Sequence, residues 1–248
     1  MKLSIITVVY NNEHTIESAI NSVSSQTYKN IEYIVVDGNS TDNTNNIIKR
    51  NLNKITKYVS ESDEGIYHAM NKGIKMATGD VIGILNSDDL YADEHVLSDV
   101  IMQFQNNPDL KLFYGDLVYV DSNDVNKVVR KWNSKPFAAN FFEHANVPPH
   151  PSLFVKKDVY GCCGLFDIQY KLAADYDFML RAFKQFGQAS AYQPRLMVKM
   201  RLGGATNKSL KNILNGNKEI LSSWKANGLK APFFLMPLRI VKRLTQFI

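Results

Sequence analysis

The feature that most constrains this chain is an apolar run that stops on adjacent carboxylates. Val81, Ile82, Gly83, Ile84 and Leu85 are followed by Asn86 and Ser87, then by Asp88 and Asp89. The run has the length and β-branched content of a strand buried on both faces. In an open α/β sheet, residues just past the carboxyl ends of such strands face the crevice where ligands bind. Two neighbouring carboxylates repel, so the pair is costly unless a cation or a hydrogen-bond donor lies between them. A hard divalent ion such as Mg2+ suits, because it needs few carboxylates and completes its shell with substrate phosphates. The competing reading is a solvated Asp-Asp turn.

The segments before this run repeat its logic. Residues 3–9 read as a buried strand, and Asn11 and Asn12 turn the chain into a helix near 13–26 with Ile16, Ala19, Ile20 and Val23 on one face. A second strand at 31–36 ends at Asp37, again a carboxylate just past a strand in a loop that contains Gly38. Asp37 could equally serve as a turn or cap residue, and Ser40 or Thr41 can cap the helix that follows. A short strand at 57–60 leads to Glu61, Ser62, Asp63, Glu64 and Gly65. The next helix carries Ile66, Ala69, Met70, Gly73, Ile74 and Ala77 on one stripe and ends near Gly79. This alternation predicts a mostly parallel sheet with helices on both faces.

After Tyr91 and a helix near 93–105 the pattern changes. Residues 112–120 and 127–132 predict a hairpin, followed by an aromatic-rich segment at 132–142. Pro148, Pro149 and Pro151 stiffen the chain around His150. A strand is expected at 152–155 and a loop at 161–164. From Asp175 a helical stripe returns through Phe178, Met179, Ala182, Phe183 and Phe186. Asp175 and Asp177 fall in its first turn, where the helix dipole alone accounts for negative charge. Strands at 189–192 and 196–201 close the body, and a helix follows at 208–227. The last stretch, 231–248, joins Phe233, Phe234, Leu235, Met236 and Leu238 to Arg239, Lys242 and Arg243. Such a basic amphipathic helix suits an anionic membrane surface, or docks on the body.

A net charge of +5 favours anionic partners, but the basic residues are dispersed rather than gathered into a stripe with aromatics, which argues against nucleic acid. The two cysteines, Cys162 and Cys163, are adjacent, which points to a reducing compartment. The N-terminal apolar run is interrupted by Ser4 and Thr7 and lacks a small-residue cleavage site, so a first strand explains it better than a signal peptide. No stretch has the length and apolarity of a membrane span. Tyr10, Asn11 and Asn12 stand where a nicotinamide-binding sheet would carry its glycine fingerprint, which disfavours a dehydrogenase.

Taken in order, the motifs resemble family 2 glycosyltransferases of the GT-A fold, in particular bacterial enzymes of O-antigen, capsule and colanic-acid synthesis. The residues that carry the resemblance are 4–11 (SIITVVYN), 35–42 (VVDGNSTD), 61–67 (ESDEGIY) with 69–73 (AMNKG), 79–80 (GD) with 85–89 (LNSDD), 149–152 (PHPS), and 174–177 (ADYD) with Leu180 and Arg181. It covers residues 1 to about 204. It implies a Rossmann-like sheet whose half at 1–110 binds a nucleotide sugar and whose half at 111–204 holds the acceptor and the catalytic base. Residues 205–248 are expected to add C-terminal helices that associate with the inner face of a bacterial plasma membrane.

The resemblance also implies roles. Thr7, Tyr10, Asp37, Asp63, Asn86, Ser87 and Asp88 would bind the donor, with Asp37 accepting hydrogen bonds from the base. Asp88 or Asp89 would hold Mn2+ or Mg2+ on the donor diphosphate, although Asn86 replaces the first acid of that motif. Asp175 would be the general base, with Ala174 in place of the usual preceding Glu and Asp177 as the alternative. His150, Asp177 and Arg201 would contact acceptor or diphosphate. The implied reaction is inverting transfer of a sugar, from a UDP-sugar in preference to a GDP-sugar, to a lipid-linked glycan in the cytoplasm. A non-catalytic nucleotide-sugar or polyanion-binding protein is the alternative.

Overall fold

The structure, a computed structural model, describes residues 1–203 and 210–246. The predicted alternation forms. Strands β1 (Leu3–Val9), β2 (Ile31–Asp37), β3 (Lys57–Ser60) and β4 (Val81–Ile84) pair in parallel in the order β3-β2-β1-β4. Helices α1 (Ile16–Ser24), α2 (Thr44–Arg50) and α3 (Ile66–Met76) make the crossovers. Alternate side chains of each strand serve two cores, as a sheet covered on both faces requires. Ile6, Val8, Ile34 and Val36 pack in the core that contains Met70 and Ile74 of α3. Leu3, Ile5, Tyr33 and Val35 pack with Ile16 and Ile20 of α1 and with Val100 and Phe104 of α4 (Val96–Asn106). A Cβ at Gly73 would collide with Ile6 Cγ2, so glycine lets α3 lie close against β1.

Beyond β4 the sheet becomes mixed. Its remaining strands are β5 (Asp89–Tyr91), β6 (Leu112–Val120), β7 (Val128–Trp132), β8 (Leu153–Lys156) and β9 (Ser190–Arg201). β8 is antiparallel to both β4 and β6, β9 runs parallel to β6, and β5 is antiparallel to β9. The predicted hairpin is β6 with β7. The two strands expected at 189–192 and 196–201 are the single strand β9. Its register with β6 jumps from Tyr192 to Leu196 around Pro194, which has no N–H to give the ladder and makes the sequence look broken.

The expected loop at 161–164 is instead the end of a seven-residue helix, α5 (Lys157–Cys163), which stops at Gly164 with φ 78°. Gly161 inside so short a helix hides the periodicity. Helix α6 (Ala174–Phe186) begins at the acids the sequence singled out. The start of the helix expected at 208 and the part boundary at 204/205 lie outside the described residues, as do residues 247 and 248. Helices α7 (Leu210–Ala226) and α8 (Leu235–Leu244) are not an appendage. Ile220, Trp224 and Leu235 are buried in the same core as Phe178 and Phe183. Trp224 Nε1 donates to the Tyr176 hydroxyl at 2.9 Å.

Candidate active site

The loops that follow β1, β2 and β4 are stitched together by short polar side chains. Asn11 and Asn39 take left-handed backbone conformations (φ 47° and 65°), which asparagine tolerates better than most residues. The Asn11 N–H donates to Ser40 Oγ at 2.8 Å, and Asn11 Oδ1 accepts from the Thr41 N–H at 2.8 Å. Asn12 Nδ2 donates to Ser87 Oγ at 2.8 Å, and the Thr15 hydroxyl to the Ser87 carbonyl at 2.9 Å. The loop that carries Asp88 is therefore fixed against the loops that carry Tyr10 and Asn39. Together they form one end of a cleft of about 1620 Å3, more than a single drug-sized ligand fills.

Five of the expected donor residues line this cleft: Tyr10, Asp63, Asn86, Ser87 and Asp88. Asp63 Oδ1 pairs with Lys72 Nζ at 2.6 Å, while its Oδ2 is buried with no hydrogen-bond partner. A Cβ on Gly38 would lie 3.4 Å from that oxygen, so the unused acceptor faces the glycine loop after β2. The N–H of a nucleotide base is the kind of group such an acceptor lacks.

Asp37 and Thr7 stand behind the lining. Asp37 is fully buried and accepts from the Ser40 N–H and hydroxyl, from Asn45 Nδ2 at 3.0 Å and from the Ser60 hydroxyl at 2.6 Å. Its carboxylate is spent on shaping the loop, not on meeting a base directly. Thr7 is fully buried in β1 and accepts from the Tyr33 hydroxyl at 3.0 Å, so it is a core residue.

The two acids of the Asp88, Asp89 pair have different surroundings. Asp88 lines the cleft, and its carbonyl accepts from Arg201 Nη1 at 2.8 Å. Asp89 is fully buried at the start of β5, where its Oδ2 accepts from Asn86 Nδ2 at 2.9 Å. Burial, with the charge of Asp88 beside it, pushes the Asp89 carboxyl well above the usual range. The expectation that Asp89 holds a metal is therefore corrected: the strand turns it into the sheet. Arg201 is corrected likewise, since it braces the Asp88 loop and does not line the cleft. No group of three His, Cys, Asp or Glu able to hold a metal occurs among the described residues. Asn86 Oδ1 is nonetheless buried with no hydrogen-bond partner beside Asp88. One carboxylate and one amide oxygen fit a Mg2+ or Mn2+ ion that takes most of its ligands from a diphosphate.

The other end of the cleft is built by α6 and the residues around it. Asp175 lines it and accepts from the Tyr67 hydroxyl of α3 at 2.9 Å. Glu219 of α7 accepts the N–H groups of Lys171, Leu172 and Ala173 at 3.1, 2.8 and 3.0 Å, and so fixes the chain just before Asp175. His150 also lines the cleft, with its ring edge on Phe166 at 5.5 Å. Burial pushes its pKa down, so the neutral imidazole is favoured, against a smaller opposing pull from Asp175. Asp177 is turned away: its Oδ2 pairs with Arg181 at 2.9 Å and its Oδ1 accepts from Asn227 at 2.8 Å. Its expected contact with acceptor or diphosphate is corrected to a structural tie within α6 and to Asn227, just past the end of α7.

Sequence reasoning missed the cations. Arg130, Lys131, Lys135, Lys171, Arg239, Lys242 and Arg243 line the cleft, against the three carboxylates of Asp63, Asp88 and Asp175. Arg239, Lys242 and Arg243 lie on α8, so the basic face expected to meet lipid points into the cleft instead. Phe233, Ile240, Val241 and Leu244 form the exposed flank of this segment.

A profile described as Glycosyl transferase family 2 matches residues 4–158. A "PGL/p-HBAD biosynthesis glycosyltransferase" of Mycobacterium bovis (strain BCG / Pasteur 1173P2) is 28% identical over 76% of this chain and 72% of its own. An Escherichia coli "UDP-Glc:alpha-D-GlcNAc-diphosphoundecaprenol beta-1,3-glucosyltransferase WfgD" is 34% identical over 50% of this chain and 48% of its own. S. aureus TarS 1-349, solved in complex with UDP, superposes with a TM-score of 0.70 at 20% identity, over 90% of this chain and 65% of that one. The architecture is that of GT-A glycosyltransferases, and the chain belongs to glycosyl transferase family 2.

Proposed function

We propose that the protein is an inverting glycosyltransferase that moves a sugar from a nucleotide-diphosphate donor to a hydroxyl of a polyprenyl-diphosphate-linked glycan. A UDP-sugar is favoured over a GDP-sugar. The observation that carries the reading is that Asp88 and Asp175 line one cleft from two separately built ends. WfgD, by its name a UDP-glucose enzyme acting on a diphosphoundecaprenol substrate, supports this choice of donor and acceptor, and the UDP bound by TarS supports the choice of donor.

The chemistry follows from the placement. An alcohol is a poor nucleophile at neutral pH, so Asp175 takes its proton as attack proceeds, with the Tyr67 hydroxyl holding the carboxylate in place. Asp63 Oδ2 receives the N–H of the base, Tyr10 lies beside it, and Ser87 and Asp88 fix the diphosphate end. Asp88 and Asn86 Oδ1 would hold a Mg2+ or Mn2+ ion, which would neutralise charge on the departing diphosphate. Attack from the face opposite the leaving group inverts the anomeric centre.

No helix of the described residues is long and apolar enough to cross a membrane. Contact with the cytoplasmic face of a bacterial plasma membrane is assigned to the apolar flank of Phe233, Ile240, Val241 and Leu244, because the basic residues of α8 face the cleft. Flotation with anionic vesicles tests it: Phe233→Ser with Leu244→Ser should leave protein at the bottom of the gradient, and flotation equal to wild type would remove the contact.

The reaction is tested by a panel of nucleotide sugars, with Mn2+, Mg2+ or EDTA, read by nucleotide release. The expected result is UDP release from a UDP-sugar, stimulated by a lipid-linked acceptor and reduced by EDTA. Tight UDP binding without turnover of any donor would favour a non-catalytic nucleotide-sugar-binding protein.

A further inference from the structure

The two oxygens of the Asp63 carboxylate are in opposite states, and the cause is Lys72. This lysine stands in the second turn of α3 and reaches back to the loop before the helix. Its Nζ lies 2.6 Å from Asp63 Oδ1 and 2.8 Å from Glu61 Oε1, and it donates to the Ser62 carbonyl at 3.0 Å. An ammonium offers three donors, and these acceptors use them all. Burial works against the charge, but the hydrogen bonds with Asp63 and Glu61 outweigh it and push the Lys72 pKa up.

Oδ1 has a second neighbour in His68 Nδ1 at 3.2 Å, one turn before Lys72 on the same helix. Oδ2, by contrast, is buried with no hydrogen-bond partner, on a side chain only 8% exposed. It lies toward Gly38 and Tyr10, since a Cβ on Gly38 would stand 3.4 Å from both Asp63 Oδ2 and Tyr10 Cδ2. Tyr10, Gly38 and Asp63 line the cleft together, and Tyr10 is 63% exposed. Its ring can stack on any base, so stacking does not choose among them.

The acceptor count does choose. The pairing edge of uracil carries one N–H between two carbonyl oxygens. That of guanine carries an N–H and an amino group side by side, which a carboxylate with both oxygens free takes as a pair. One free oxygen satisfies uracil and leaves a guanine donor unmet in a buried place, which is costly. A bare Oδ1 would in addition meet a uracil carbonyl as acceptor against acceptor.

We propose that Lys72 sets the choice of base by acting through Asp63: holding Oδ1, it leaves a single acceptor that fits uracil and disfavours guanine. Lys72 is a positioning residue, because its own donors are spent within the chain. The inference rests on Asp63 receiving the base, as proposed above, and gives the preference for a UDP-sugar a cause in this chain's own residues.

The test is calorimetry of the full chain with UDP, GDP and inosine diphosphate. Inosine diphosphate is GDP without the amino group, so that pair isolates the second donor at nearly constant size. The wild type should bind UDP most tightly, and inosine diphosphate at least as well as GDP. In Lys72→Met, GDP should gain on inosine diphosphate by roughly fivefold or more, and should gain on UDP as well. Lys72→Arg, which keeps a donor on Oδ1, should retain the wild-type order. A merely structural role for Lys72 would move all three affinities together. Thermal unfolding checks that the variants fold, and the wild-type order is decisive even where Lys72→Met does not. GDP bound more tightly than inosine diphosphate by the wild type, an unchanged ratio in Lys72→Met, or GDP binding undetectable in both proteins would overturn the role of Lys72. Asp63→Ala separates that failure from the failure of the reading beneath it. Weakened UDP binding in Asp63→Ala keeps Asp63 as the acceptor for the base whatever Lys72 does, while unaltered UDP binding would overturn both.

Discussion

The two ends of the cleft use carboxylates in contrasting ways. At the end built by the loops after β1, β2 and β4, Asp37 is saturated with hydrogen bonds and buried, and the loops hold their shape through side chains from short stretches of sequence. At the other end, Asp175 stands on the cleft wall, held by a tyrosine from α3 and a segment that Glu219 of α7 fixes from 46 to 48 residues away. An acid whose lone pairs are all taken shapes a site; an acid with acceptor capacity left over, such as Asp63 or Asp175, can act in one.

That contrast makes separable predictions. A large effect is expected at the donor end. Asp88→Asn should lower kcat/KM by roughly two or three orders of magnitude and remove the response to added Mn2+ or Mg2+. A change of less than about fivefold would move the metal site elsewhere. Asp63→Ala should weaken UDP binding by roughly tenfold, because a buried acceptor for the base is lost. Calorimetry with UDP measures this, and unaltered affinity would detach Asp63 from the base.

At the acceptor end, Glu219→Ala leaves three N–H groups before α6 without their carboxylate. It should cost about 2 kcal/mol of stability and slow transfer while sparing UDP binding. Equal damage to both would blur the division between the two ends.

The smallest effect is a control inside the parallel sheet, remote from both. Burial works against ionisation of Glu32, but hydrogen bonds from Ser4, Thr78 and Lys57 overcome it and hold the carboxyl well below the usual carboxylate range. A depressed carboxyl contributes stability that is present above its unfolded pKa of about 4.3 and lost as pH falls toward its folded pKa. Glu32→Gln should therefore cost about 1–2 kcal/mol at pH 7, with the gap narrowing below roughly pH 4, as denaturant titrations at several pH values would show. A gap that widened with acid would reverse the sign.

What the sequence revealed follows the same division. The first four strands and their helices were legible because each is a local pattern: alternating or continuous apolar residues, closed by Asp, Asn or Gly. The order of motifs also exposed the cleft residues Asp63, Asn86, Ser87, Asp88 and Asp175. Asp89 was misplaced because adjacency in sequence says nothing of pleat: in β5 its side chain goes to the sheet while Asp88 keeps to the cleft. Asp177 and Arg201 were misassigned because their partners, Arg181, Asn227 and the Asp88 carbonyl, are fixed by packing. The inward face of α8 was hidden for a related reason. A basic amphipathic helix has one pattern whether its charges meet lipid or a cleft, and only the burial of Leu235 in the core decides.

The claim on which all this turns is that one acid activates the incoming alcohol while others grip the nucleotide. It is tested most directly by measuring transfer and UDP-sugar binding side by side in Asp175→Asn. The account predicts wild-type donor affinity with turnover reduced by roughly two to four orders of magnitude. Turnover close to wild type, or loss of donor binding in step with turnover, would contradict it.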